Sequence, residues 1–284
     1  EPIIFAAEHG VRGIYADKGL CSSLAEADRI HAACKENNVA FNWGAMRRNN
    51  ICYIRLQEAI ARGDIGEPRF VVLYTLTDLI KHHPHTLDLV SMLLGDPAPV
   101  WVEGRLVEKG EPLDPRDTRK GPPDSKTFVR GPLPLPTYDA KGHRFVPPPG
   151  LEIADPMVGF FRVGYESGAE GVFVPAGTGS AVDVIGIEGR VSAMESDNVY
   201  KVRRHANGDS AIEERAFHPT GESPTVCIIR DIIREMKTGQ RTAGNIDITM
   251  QVAEAEFGIA HSHLQGGGCI SLPVADRSLY IASH

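Results

Sequence analysis

The spacing of apolar residues changes along the chain, and the elements follow from it. In EPIIFAAEHG (1–10), Ile3, Ile4 and Ala7 share one side of a helix that Gly10 would end as a C-cap. VRGIYAD (11–17) is a short apolar run and reads as a buried strand. Ser22 or Ser23 can cap a second helix, where Leu24, Ala27, Ile30, Ala33 and Cys34 recur at helical spacing. VAFNWGA (39–45) reads as a second strand. Helix, strand, helix, strand is the alternation of a parallel sheet, yet fifty residues supply too few strands to bury one on both faces.

A third helix spans 49–63 and ends at Gly63 with the turn DIGEP. After Pro68 come a strand (69–77), a segment (79–95) helical at least from Thr86, and a strand (99–108). Beyond Met157 the pattern is mostly period two, broken by Gly, Asn and Asp turns, which predicts an open and mainly antiparallel sheet. Helices over 225–239 and 246–267 close the chain before the tail ISLPV. Residues 110–150 hold 10 of the 20 prolines with almost no periodicity, and read as a long loop or extended insertion: a lid, an arm on a neighbouring subunit, or a linker. The fold class is α/β plus α+β, a small parallel sheet followed by a large open one.

With 284 residues, 42% hydrophobic and 24% charged, the chain has the composition of a soluble globular protein of about two domains. A formal charge of −7 repels nucleic acid and anionic membrane. No apolar run approaches the ~18–20 residues of a membrane-spanning helix. Five scattered cysteines (Cys21, Cys34, Cys52, Cys227, Cys269) have no CxxC or CxH spacing, so neither a disulfide framework nor a zinc site is indicated. A reducing, cytoplasmic setting fits, with export left open if the natural start lies upstream.

Four segments in order resemble the Gfo/Idh/MocA family of nicotinamide-dependent oxidoreductases. EPIIFAAEHGVRGIYADKG resembles the family's run into its Glu-Lys-Pro motif, and SLAEADRIHAACKENNVAFNWGAMRR the helix and strand that follow. LQEAIARGDIGEPRFVVL resembles the Gly-x-Ile-Gly turn and first strand of the second domain, and HTLDLVSMLLGDP the His-x-x-Asp helix. The resemblance implies that residues 1–48 are the C-terminal part of a Rossmann domain and 49–284 an open-sheet substrate and oligomerisation domain, with 110–150 inserted. It also implies that roughly a hundred upstream residues, with the glycine-rich turn and ribose-binding acid, lie outside this chain. GTGSAV (177–182) and GGG (266–268) read as turns rather than substitutes. NAD or NADP is therefore expected to bind the complete protein, and to bind this chain alone weakly or not at all.

Lys18 stands at the C-terminal end of a predicted parallel strand, where open α/β sheets place ligands, although a solvated lysine is the default there. The family's motif lysine lies beside the nicotinamide and the substrate hydroxyl. Here the motif reads Asp17-Lys18-Gly19, and glycine leaves unfixed the turn that proline would make rigid and often cis. His85 and Asp88 share a helix face, so the carboxylate could orient the imidazole, or His85 could serve only the backbone. The resemblance makes His85 an acid/base residue, but the family's Asp four residues earlier is Lys81, which would disfavour a protonated imidazole. Arg47 and Arg48 follow the second strand, where the family often sets an arginine pair near cofactor and substrate; a solvated pair is the plain alternative. The cluster His82, His83 and His85 lacks the i, i+4 spacing of a zinc helix, so no metal is expected.

These readings give an NAD(P)-dependent oxidoreductase acting on a sugar, cyclitol or related polyol. Lys18 and His85 would be catalytic, Lys18 and Arg47 would meet the cofactor, and Asp88, Lys81 and Arg48 would orient the substrate. A scaffold or ligand-binding subunit that has lost catalysis is the main alternative, and a cofactor-independent lyase or epimerase a thinner one. The open sheet predicts a homodimer or homotetramer.

Overall fold

The computed structural model describes residues 2–75, 77–106, 137–138, 144–145, 152–175, 181–195, 199–206, 209–218 and 222–282. Four short elements open the chain: α1 (Pro2–Glu8), β1 (Gly13–Tyr15), α2 (Leu24–Glu36) and β2 (Ala40–Asn42). β1 and β2 pair in parallel, Gly13 opposite Ala40, as the alternation predicts. The residues spaced for a helix face in α2 are the ones it buries, and Ser23 Oγ accepts the Glu26 N–H as N-cap. A 3-10 turn (Met46–Asn49) then leads to α3 (Ile51–Ala61), which Asn50 caps through the Cys52 N–H at 2.9 Å.

Nine strands form the large sheet. In chain order they are β3 (Pro68–Tyr74), β4 (Pro99–Leu106), β8 (Val158–Tyr165), β9 (Glu170–Val174), β10 (Ala181–Gly186), β11 (Gly189–Met194), β12 (Val199–Ala206), β13 (Asp209–Ala216) and β14 (Ile270–Ser271). Their spatial order is β13-β12-β11-β10-β3-β9-β8-β4-β14, and only β3 and β9 run parallel. Two short ladders complete the set: β5 (Thr137–Tyr138) with β6 (Arg144–Phe145), and β7 (Glu152–Ala154) in parallel with β15 (Tyr280–Ala282). Apart from that first ladder, the proline-rich stretch lies outside the described residues, as do residues 177–180 of GTGSAV.

One face of the sheet carries the helices. Val71, Leu73, Val102, Phe161, Val163, Phe173, Val184 and Val191 point into a core that also takes in residues of α1 and α2. Helices α4 (Leu79–Leu93) and α6 (Ile246–Leu264) cover this face, and α5 (Pro224–Thr238) packs on β1 and β2. The opposite face leaves Phe70, Phe160, Ile185, Met194 and Ile212 more than a third exposed.

Helix α4 begins seven residues before Thr86 and contains Pro84, which extends the sequence expectation. The cause is distant in sequence. Asp155 accepts the Ile80 N–H at 2.8 Å and the Lys81 N–H at 3.1 Å, while the Leu79 N–H donates to the Pro156 carbonyl at 2.9 Å. Donors that a first turn leaves without partners are thus satisfied from the strand side.

Candidate active site

The loop after β1 lies against the first turn of α4. An ideal Cβ on Gly19 would sit 2.5 Å from Ile80 Cγ2, so glycine permits this approach. Lys18 is half-buried, its N–H donates to Asp17 Oδ1 at 2.9 Å, and the Lys18–Gly19 peptide bond is cis. A cavity of about 450 Å³ adjoins the loop, lined by Asp17, Gly19, Leu20 and Cys21 together with α1 and α2.

His85 projects from the next turn of α4. Burial pushes its imidazole down to about 4, and the positive charges of Arg47 and Lys18, then His82, act in the same direction while Asp17 opposes them. Lys18, Arg47 and His82 thus act on His85 through their charge, and Lys18 and Arg47 follow the ends of β1 and β2. Arg47, itself largely covered, lies 3.6 Å from Glu195. In the turn that precedes His85, Asp78 is buried and its Oδ2 lies 3.2 Å from His82 Nδ1, with His82 44% exposed. His83 is instead a core group: Nδ1 meets Thr86 Oγ1 at 2.8 Å, and the ring stands edge-on to Phe161 and Phe173. Among the described residues no group of three His, Cys, Asp or Glu side chains is placed to hold a metal.

Asp88 and Arg48 are elsewhere engaged. Asp88 does not orient His85; its Oδ1 accepts from Arg48 Nε at 2.7 Å, inside the protein. Arg48 also forks onto Asp96 at 2.9 and 2.7 Å, and its side chain is 3% exposed. Every guanidinium nitrogen is used, so Arg48 is a structural ion-pair centre instead of a substrate contact. Lys81 is exposed, and its backbone N–H serves Asp155; the cations acting foremost on His85 are Arg47 and Lys18. Asp155 was silent in the sequence because it lies 74 residues from its partner Lys81. Burial, reinforced by Asp78, pushes its carboxyl up to about 7 against the two backbone N–H groups. The pair Asp78 and His82 had a readable signal, a four-residue spacing on one helix.

No family model matches the chain. An uncharacterized oxidoreductase of Streptococcus pneumoniae serotype 4 is 29% identical over 41% of this chain, a match spanning 37% of that protein. Among solved structures, an NAD-binding oxidoreductase from Klebsiella pneumoniae superposes with a TM-score of 0.68 at 17% identity, covering 96% of this chain and 77% of that one. Levoglucosan dehydrogenase with NADH and levoglucosan gives 0.67 at 16% identity, over 95% and 76%. An inositol dehydrogenase homolog from Azotobacter vinelandii with NADH and myo-inositol gives 0.64 at 15%, over 95% and 74%. The chain has the fold of Gfo/Idh/MocA-type oxidoreductases. At these identities the likeness speaks for architecture, and the chemistry rests on the side chains. In this fold the neighbourhood of Lys18 lies outside the carboxyl ends of the parallel strands, the usual place for ligands in open α/β sheets. Among the described residues no glycine-rich turn joins a strand to a helix N-terminus.

Proposed function

We propose that the protein is an NAD(P)-dependent oxidoreductase that interconverts C–OH and C=O on a sugar, cyclitol or related polyol. The observation that carries this reading is the convergence of Lys18, Arg47 and His85 at the strand edge, on a fold shared with dehydrogenases crystallised with levoglucosan or myo-inositol. Lys18, a half-buried cation, would bind the reacting oxygen and stabilise its negative charge. His85, kept neutral at pH 7, would accept a hydrogen bond or proton from the same hydroxyl. Arg47 would face the nicotinamide end of the dinucleotide, whose role is to accept or supply hydride. The full-length protein should bind NAD(H) or NADP(H) in titration calorimetry and reduce the dinucleotide with a panel of cyclitols and sugars. Lys18→Ala should lower turnover by about 100-fold or more. Failure to bind either dinucleotide would overturn the proposal and favour the scaffold reading, which the missing Asp at Lys81 and the engagement of Asp88 by Arg48 support.

The exposed sheet face supports a partner as well. Phe70 is directly opposite Ile185 in the ladder, and Phe160, Met194 and Ile212 are exposed on the same face, with Arg190 and Arg203 between Ile185 and Ile212 and Glu170 beside Phe70. A two-fold copy of the chain would cover this face. Light scattering should show a dimer or tetramer at micromolar concentration, and a monomer would refute this.

A further inference from the structure

Ile80 joins two sides of the candidate site. Its backbone N–H and that of Lys81 donate to the two carboxyl oxygens of Asp155, at 2.8 and 3.1 Å, and the Leu79 N–H donates to the Pro156 carbonyl at 2.9 Å. Asp155 and Pro156 stand in the link between β7 and β8, and the same link grips the approach to α4 twice more: the Asp78 backbone bridges to Met157, and the Val158 N–H donates to the Thr77 carbonyl at 3.1 Å. On its other side Ile80 carries the loop after β1. A Cβ on Gly19 would stand 2.5 Å from Ile80 Cγ2 and 3.2 Å from its carbonyl oxygen, so the loop rests directly on this residue, and Lys18 precedes Gly19 in that loop. Ile80 is 1% exposed and has no room to give way. His85 lies further along the same helix, within reach of the Lys18 charge. Where Ile80 is held therefore fixes the place of both side chains.

We propose that Asp155 is a positioning residue: by fixing Ile80 it sets how Lys18 on the loop stands relative to His85 on α4. The inference deepens the oxidoreductase reading, and rests on it only for the effect on turnover. The first N–H groups of a helix have no acceptor within it, and one carboxyl group with two oxygens satisfies two of them at a fixed spacing. That fixes the turn in place as well as in conformation, because Asp155 belongs to the strand side and not to α4. Asparagine at the same position keeps one acceptor and turns the other into a donor that faces an N–H. Ile80 would then be free to shift, and the loop on Gly19 would shift with it. A displacement of about 1 Å between reacting groups is enough to cost up to about 100-fold in rate, so a residue that touches neither Lys18 nor His85 in the hydrogen-bond network can still govern them.

Two measurements on the full-length protein test this. The first needs no substrate: in hydrogen exchange, Asp155→Asn should speed exchange by about three-fold or more both in 79–82 and in the loop 16–20, which lies far away in sequence, while 170–174 in the large sheet stays as in the parent. Faster exchange confined to 79–82 would mean that the loop does not depend on Asp155, and overturns the assignment. The second uses a polyol that the protein oxidises. Asp155→Asn should lower kcat by about ten-fold with KM changed by less than about three-fold, and the same substitution in a Lys18→Ala background should lower the residual kcat by less than about two-fold, because the residue that it positions is gone. An equal fold-loss in both backgrounds, which a general loosening of the fold would give, overturns the assignment. If Asp155→Asn does not fold, Gly19→Ala decides from the other side of Ile80: its methyl group must push the loop away, so it should lower kcat by about ten-fold with the Asp155 contacts intact, and turnover within about three-fold of the parent refutes the role of Ile80. A parent inactive on every polyol with both dinucleotides brings down the oxidoreductase reading, and the exchange result still decides whether Asp155 holds the loop through Ile80.

Discussion

Replacing Arg48 by methionine asks whether this residue is a substrate contact or a structural centre. Methionine keeps most of the side-chain volume and removes the guanidinium, so the packing loss is small. The charge left behind is not. Asp88 is 1% exposed, and losing Arg48, its one charged hydrogen-bond partner among the described residues, strands a carboxylate in the interior, a perturbation worth about 3–5 kcal/mol. Asp96 is 32% exposed and can rehydrate, so its share should be ~1 kcal/mol or less. The total, about 4 kcal/mol, is a large part of the ~5–15 kcal/mol that holds a folded domain together.

The dependence on pH separates the two roles further. Burial pushes the Asp88 carboxyl up, and Arg48 is what pulls it back. Without Arg48 the folded-state value rises further above the unfolded one. A group raised in this way favours the fold below its unfolded pKa and loses that contribution as pH rises through the folded pKa. The deficit of Arg48→Met should therefore be larger at pH 8 than at pH 5, where Asp88 can be protonated in the fold. Urea unfolding followed by circular dichroism at both values measures it, and Arg48→Met with Asp88→Asn should recover part of the loss. A deficit under about 1 kcal/mol at pH 8, or one that does not shrink at pH 5, would refute the buried ion-pair account.

Two further substitutions probe the core and the sheet. Burial, then the charges of Arg47 and His82, pushes His83 down to about 3, below its ordinary 6.5, so the fold loses stability as pH falls through that interval. His83→Leu should flatten the acid-side fall of the urea-unfolding free energy by up to about 1.4 kcal/mol per pH unit between pH 4 and 6; an unchanged slope would show that His83 is not held neutral. Gly164→Ala would set a Cβ 2.0 Å from Trp101 Nε1, forcing the indole from under Arg162, whose guanidinium lies 5.4 Å from its ring. A cost of about 1–3 kcal/mol with altered tryptophan fluorescence is expected, and neither would be seen if the strand pair could relax.

Elements held by their own residues were readable from the chain. Helix α2 carries its cap at Ser23 and its whole buried face in one periodic pattern, and β9 alternates cleanly, so local rules sufficed. Helix α4 is different. Its first two turns lack a periodic signal, include Pro84, and depend on a carboxylate from Asp155 and a carbonyl from Pro156. A cap supplied from across the fold leaves no local trace. The tail gives the same lesson: Ile270 and Ser271 become a strand only because β4 offers an edge at Trp101 and Val102.

For the site, position along an element was readable and partnership was not. Lys18 and Arg47 follow the ends of adjacent parallel strands, and that alone brings them to one edge near His85. Arg47 and Arg48 are neighbours in sequence, yet the 3-10 turn sends one towards Glu195 and His85 and the other into Asp88 and Asp96. A dipeptide cannot show which of two cations will find a carboxylate 40 residues away. The histidines repeat the point in opposite form. The family frame directs attention to position 81 as the carboxylate for His85, and finding lysine there reads as a lost pair. The helix, however, starts at a buried aspartate, and a residue four positions later on the same face must meet it whatever stands at 81. Helix start and dyad are thus a single feature of the structure: Asp155 and Pro156 lengthen α4 backwards by two turns, and those turns bring His82 onto Asp78.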